Sequence, residues 1–400
     1  MVWKRWRGHY SRRRLSDFGL RLCRSTRRLC LIDSPLPEGG SKIKHLCCGE
    51  DANLQNAMSS EMKRSIGTGH LTLRKTVGVC GVLLLLLVGI LIAAALLGSQ
   101  RLPLTSSLCA LIGRSNCGLS SEQQAILFDL RLPRILLAGA VGMCLASAGA
   151  GYQALLRNPL AEPYLLGISN GAAVGTMIAL VFFGAHEWSR PVMAFAGALI
   201  ATLVVYQLAR GRAGATPERL ILAGVIVTTF LSSAIVFITT LMDATRIRSF
   251  TFWLLGDLSG TTTNLLAIAF IAAGVGVGIL ALNARSLNLM MLGERDAFDL
   301  GVEVGRVRLT VFIAASLLVG ASVASSGSVG YVGLVVPHLV RLSLGSDNRL
   351  VIVASALAGA AFVIVADTVA RTIIAPRELP VGAITALIGA PLFVYLLKRG

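Results

Sequence analysis

Four hundred residues with 54% hydrophobic and only 14% charged side chains exclude an ordinary soluble domain, in which about a quarter of residues are charged. The formal charge of +17 has the look of a nucleic-acid binder, but residues 1–75 carry +10 of it and the remaining chain only +7. No basic patch sits on a nucleic-acid motif, so no nucleic-acid partner is expected.

Residues 1–61 form a basic extension in which Arg12, Arg13, Arg14, Arg21, Arg24, Arg27 and Arg28 follow no apolar period. Such a stretch buries too little apolar surface to fold alone. Translation from Met58 or Met62 accounts for it. A disordered cytoplasmic tail and a lipid-binding basic segment are the alternatives. Cys47 and Cys48 lack the paired spacing of a zinc site, and no metal site is expected. Residues 62–75 read as a short cytoplasmic segment, and 76–400 as one transmembrane domain.

The run Val77–Leu97 holds no charge and is long enough for a hydrocarbon core of about 30 Å. It is too long for a signal-peptide core, and no cleavage site follows. Further apolar blocks give ten spans in all: 76–98, 132–156, 165–184, 191–209, 218–241, 262–284, 306–327, 334–343, 348–371 and 381–398. The third is weak. The eighth is too short to cross alone and reads as a half-helix packed inside the protein. An all-α polytopic membrane protein is therefore expected. With the N-terminus inside, sixteen Lys/Arg fall in inner loops and nine in outer ones, which places both termini in the cytoplasm. Glycines within the spans, such as Gly139, Gly142, Gly149 and Gly151, call for close helix contacts. Cys80 and Cys144 read as packing residues, while Cys109 and Cys117 share an outer loop and could pair there.

Gly142–Gly149 is echoed by Gly320–Gly327, 178 residues later, and Pro159 and Gly167 are echoed by Pro337 and Gly345. Two five-helix halves in an inverted repeat would produce such an echo, and so would the narrow alphabet of small-residue helices.

Asn158-Pro159 and Glu162-Pro163 remove backbone donors and force a turn, expected beside the membrane. Pro337-His338 interrupts an apolar segment, and His338 reads as a satisfied structural group because no second ligand accompanies it. Arg131 and Arg134 share a face at the outer end of the second span, where the positive-inside rule does not put arginine, and Arg371 ends the ninth span similarly. Snorkelling to headgroups is the plain account of all three. The loop 285–306 is the longest inner one. Leu292, Phe298, Leu300 and Val304 alternate there with Glu294, Asp296, Asp299 and Glu303 around Gly301, as in an element lying in a partner's groove. No phosphate loop, catalytic triad or HExxH is present, and mid-span carboxylates are nearly absent, with Asp367 close to a helix end. This argues against an ion-driven carrier.

The stretches Leu130–Arg134, Ala146–Gln153, Arg157–Pro163, Leu166–Ala172, Gly327–Arg341 with Asp347 and Arg349, Glu378–Gly382 and Gly389–Phe393 together resemble the FecCD family of ABC-importer permeases. The resemblance covers about 76–400 and implies a type II importer permease fold, an inner-membrane location and transport of a ferric siderophore or other iron chelate, with cobalamin or haem as the alternative. It implies a homodimer, two copies of an ATPase that bind the ATP and Mg, and a periplasmic or lipid-anchored substrate-binding protein. The chain itself would bind no cofactor and be no enzyme. Arg131, Arg134 and Arg371 would receive carboxylates of the binding protein. Leu292, Gly293, Glu294, Arg295, Ala297, Phe298, Leu300 and Gly301 would couple to the ATPase. Asn158, Pro159, Glu162, Pro163, Pro337 and His338 would form the gating turns.

Overall fold

The computed structural model describes residues 73–399, apart from 99, 101, 113–117, 184–187 and 212–213. The expected 1–61 extension, nearly all of the 62–75 segment and Cys117 lie outside the described residues. In chain order the helices are α1 (Leu73–Leu96), α2 (Leu104–Leu111), α3 (Ser121–Leu155), α4 (Ile168–Phe183), α5 (Ser189–Ala209), α6 (Pro217–Thr239) and α7 (Ala244–Leu254). They continue with α8 (Thr263–Leu282), α9 (Ala284–Leu292), α10 (Glu294–Asp299), α11 (Val304–Ser326), α12 (Val332–Leu344), α13 (Asn348–Thr372) and α14 (Val381–Arg399). Between α5 and α6 lies a two-residue antiparallel ladder, Arg210–Gly211 with Gly214–Ala215.

Seven of the described helices are long and apolar enough to cross a membrane, and α4, α12 and α14 are shorter apolar helices. Together they correspond to the ten expected spans, with the third and eighth among the short ones. The second begins eleven residues before the expected 132, because Glu122, Asp129, Arg131 and Arg134 interrupt the apolar pattern that marks a span. A capping box starts it: Ser120 accepts from the Gln123 amide and Gln123 reaches back to the Ser120 amide. Residues Ile126–Arg131 take π-helical register just ahead of Pro133, whose missing N–H would otherwise leave the Asp129 carbonyl without its helical donor.

Helix α3 is the axis of the fold. From Ile135 to Leu156 every residue is buried except Leu136 and Met143, which are half-buried. Small side chains bring neighbouring backbones onto it. A Cβ on Gly142 or Gly359 would overlap the other's carbonyl, so α3 and α13 touch main chain to main chain. On α12, Pro337 cannot donate to the Gly333 carbonyl, and that freed oxygen lies against Gly149, where no side chain would fit. By contrast α1 exposes Val77, Val82, Leu84, Leu85 and Leu86, as a lipid-facing helix does.

The 178-residue echo does not superpose equivalent elements. Gly149 lies inside α3 whereas Gly327 ends α11, and Pro159 sits in a turn whereas Pro337 sits within α12. Small-residue helices repeat one another by alphabet alone, which accounts for the match. The order of spans still divides five and five.

Replacing Gly142 by Val should lower stability by about 3 kcal/mol or more, since both backbones must separate. Gly81→Ala, where a Cβ meets nothing within 4 Å, should be neutral. The thermal unfolding midpoint of the detergent-solubilised protein checks both.

Candidate functional site

Polar groups gather at three levels along α3. The first surrounds its early turns. Arg131 is buried and donates to the carbonyls of Ala95, Leu96 and Gln100, so its guanidinium caps the last turn of α1. Arg134 turns to other partners. Its Nε donates to Asp367 Oδ1 at 3.0 Å and its Nη1 to Glu378 Oε2 at 2.6 Å. Arg371, one turn after Asp367 on α13, lies 2.9 Å from Asp367 Oδ2 at ion-pair distance, though poorly aligned for a hydrogen bond. The carboxylate of Asp367 is wholly buried between two arginines, while Glu378 is 46% exposed.

The three arginines singled out from sequence are thus found at one end of the bundle, but not as one exposed row. Two are buried, and Arg134 and Arg371 already face carboxylates of this chain. Sequence reasoning missed Asp367 and Glu378 as their partners. The four-residue spacing of Asp367 and Arg371 was the available signal. Nearby, Arg246 pairs with Asp243 and Arg248 lies 5.9 Å from the Phe252 ring centre.

The second level is the opposite end. Helix α3 stops in a Schellman arrangement: Asn158 N–H donates to the Gln153 carbonyl and Arg157 N–H to Ala154, with Arg157 at φ 50° where glycine is usual. Arg157 Nη2 then donates to Glu294 Oε1 at 2.7 Å, and Arg308 Nη2 stands 2.6 Å from the same oxygen. Arg308 also donates to the Ala215 carbonyl beside the small ladder. Glu294 therefore clamps α10 to α3, α11 and the α5–α6 connection. The loop expected to be interrupted at Gly301 is two helices, α9 and α10, broken at Gly293 (φ 151°) and ended at Gly301 (φ 85°). Ala297 packs inward, whereas Leu292, Phe298 and Leu300 are 69%, 71% and 62% exposed and Arg295 is exposed beside them. Asn288 of α9 donates to Asp347 and accepts from both the backbone and side-chain amides of Asn348. Asn348 in turn accepts from Arg341, which also donates to the Ala150 carbonyl of α3.

The third level lies between the two. Residues 157–163 were expected to turn beside the membrane, but the chain instead climbs back into the protein. Pro163 and the Leu145 carbonyl both lie within 3 Å of where a Gly333 Cβ would stand, and α4 starts from that depth. Asn158 Oδ1 accepts from the Leu160 amide to fix the turn that precedes Glu162. Glu162 Oε1 accepts the Tyr331 amide at 3.2 Å, with Tyr331 at φ 67° as the first cap of α12. Tyr164 OH bonds both the amide and the carbonyl of Val329 at 3.0 Å, and Ser169 bonds Ser328. A carboxylate at this depth, Glu162, corrects the expectation that mid-span acids are nearly absent. The sequence places it in a turn, and only the fold carries the turn inward. His338, expected to be satisfied, is half-buried with Nδ1 lacking a hydrogen-bond partner within the described chain.

From Arg134 to Arg157 is 23 residues, about 34 Å at 1.5 Å per residue, close to the thickness of a hydrocarbon core. The two arginine clusters mark the two membrane boundaries, and the interlocked turns lie midway. On α6, roughly 18 Å from Pro217 at 1.5 Å per residue, Thr229, Ser232 and Ser233 are exposed on one stripe, and Asn170 of α4 donates to Ser232. Among the described residues, no group of three His, Cys, Asp or Glu could hold a metal ion. Cys109 is disulfide-bonded, at the end that carries Arg131.

Residues 84–399 match the FecCD transport family. The chain is 42% identical over 281 residues to the cobalamin import system permease protein BtuC of Halobacterium salinarum, covering 70% of this chain and 75% of that one. It is 39% identical over 326 residues to the hemin transport system permease protein HmuU of Yersinia pestis, covering 80% and 95%. Among solved structures, a metal-chelate type ABC transporter in an inward-facing conformation superposes with a TM-score of 0.70 at 31% identity, covering 81% of this chain and all of that one.

Asp367→Asn should destabilise the protein by about 3 kcal/mol, because the buried Arg371 loses its counter-charge and Arg134 one of its two. The unfolding midpoint in detergent measures this, and an unchanged midpoint would count against Asp367 as the centre of the cluster.

Proposed function

The chain belongs to the FecCD transport family, and on that premise we propose that it imports cobalamin or haem as a homodimer, between two partner ATPase subunits and a substrate-binding protein. As a family member it is a multi-pass membrane permease subunit of an ABC importer, and ATP hydrolysis belongs to the partner. An ion-driven carrier is set aside on that ground.

The observation that carries the coupling role is the exposed trio Leu292, Phe298 and Leu300 on two short helices held rigidly by Glu294 and Asn288. Apolar side chains so exposed, on a segment so firmly tied to α3, α11 and α13, suit a partner's groove and transmit its displacement inward. The ATPase therefore docks here, on the cytoplasmic side, with both termini. The inner excess of Lys/Arg supports that orientation, and so does a disulfide at Cys109 at the other end, which fits an oxidising compartment. The binding protein then docks at the Arg134 end. There its acidic side chains meet Arg134 as the accessible member of the cluster, with Arg131 and Arg371 shaping the field behind it. The interlock of Glu162, Pro163 and Tyr331, with Asn158, Pro159, Pro337 and His338 around it, forms the gate. The polar stripe of α6 and Asn170 lines the pathway at the two-fold axis, since hydroxyls and amides at mid-depth are better placed there than against lipid.

The cargo assignment follows the relatives named for cobalamin and hemin at 39–42% identity. A ferric siderophore is the second reading, favoured by the metal-chelate type transporter at 31%. ATP hydrolysis by the reconstituted complex should rise with a binding protein loaded with cobalamin or haem, and a response to ferric siderophore alone would overturn the assignment.

Exchanging Phe298 and Leu300 for Ala removes most of the exposed apolar anchor, and association with the ATPase should weaken at least ~10-fold. Normal co-purification and transport by that variant would remove the coupling role. Arg134→Glu should weaken binding-protein association at low salt, with little effect at high salt.

A further inference from the structure

Resting on the docking role proposed for Arg134, we propose that Glu378 is an internal stand-in for the binding protein's carboxylate, holding Arg134 until that protein displaces it. The two acids on Arg134 are not equivalent. Asp367 is fully buried, is shared with Arg371 and lies on a membrane-spanning helix, so its loss would strand the buried Arg371. Glu378 is 46% exposed and ends a run, residues 372–378, in which every residue is exposed. Its contact is a single 2.6 Å bond from Arg134 Nη1. An ion pair with one solvated member on an exposed loop exchanges at little cost.

Room for the exchange is already present. A cavity of about 220 Å³ opens beside this pair, bordered by Arg134, Glu378, Leu379, Gly256, Asp257 and Ser259. Asp257 borders it as a second carboxylate, its Oδ1 accepting from both the amide and the hydroxyl of Ser259. A carboxylate entering this cavity meets Asp257 and Glu378 as like charges, and Glu378 also as the competitor for the same N–H. It reaches Arg134 only as Glu378 swings out with its loop. The contact thus keeps Arg134 oriented and neutralised in the free permease, and makes docking an exchange of one acid for another.

The test uses the permease–ATPase complex in lipid nanodiscs and the binding protein that stimulates its ATP hydrolysis, with affinity measured at low salt. Glu378→Gln keeps the shape and removes the charge, and should bind about fivefold more tightly. The gain should vanish in an Arg134→Ala background, which itself binds more weakly. If Arg134→Ala weakens binding but Glu378→Gln leaves it unchanged or weaker, the displacement is wrong and the docking role stands. If neither variant alters affinity, the docking role falls and the displacement falls with it.

Discussion

Backbone that leaves regular helix at mid-membrane depth has no water to satisfy it, so it exists only where the protein supplies every partner. That constraint organises this fold. The segments 157–167 and 327–331 meet near the level of Leu145, where they complete one another. Glu162 takes the Tyr331 amide, and Tyr164 takes both polar groups of Val329. The contact is close enough only because α3 offers Gly142 and Gly149 to the backbones of α13 and α12. Helices α4 and α12 are short for the same reason, since each starts from the interior and runs to one surface. The proposed gate draws on this hinge, whose hydrogen bonds tie the two half-helices to one another.

The sequence exposed the number of spans because burial in lipid demands long uncharged runs, and ten such runs stand out by composition. It also separated α4 and α12, two of the three shorter apolar helices, since their runs were weak or brief, but not α14. Other features were hidden for physical reasons. The beginning of α3 carries the exposed Glu122 and Asp129 and the partnered Arg131 and Arg134, so hydropathy does not register it. The turn at Asn158–Pro163 has the same residues whether it lies at the surface or deep inside, and only the tertiary contacts with Leu145 and Gly333 distinguish the two.

Arginine was harder to read than proline. A guanidinium at a membrane boundary can snorkel, cap a helix, hold an internal acid or await a partner, and residue type alone does not separate these uses. Arg131 caps α1, Arg371 and Arg134 share Asp367, and Arg308 ties a loop carbonyl to Glu294. Arg134 alone among these four pairs with an acid on the exposed run 372–378. The loop 285–306 was legible as an exposed amphipathic element, but Glu294 within it faces inward as a clamp. The docking roles proposed for both ends therefore rest on internal ion pairs that hold neighbouring exposed groups in place.

Between the clusters the described residues offer little with which to do chemical work; ATP hydrolysis belongs to the partner subunit, and on the proposed reading a binding protein supplies the selectivity. Uptake by proteoliposomes tests this directly, with the permease reconstituted alone or together with its ATPase and binding protein. Accumulation of cargo should require ATP, both partners and no ion gradient. Uphill uptake by the permease alone, driven by a proton or sodium gradient, would contradict the account.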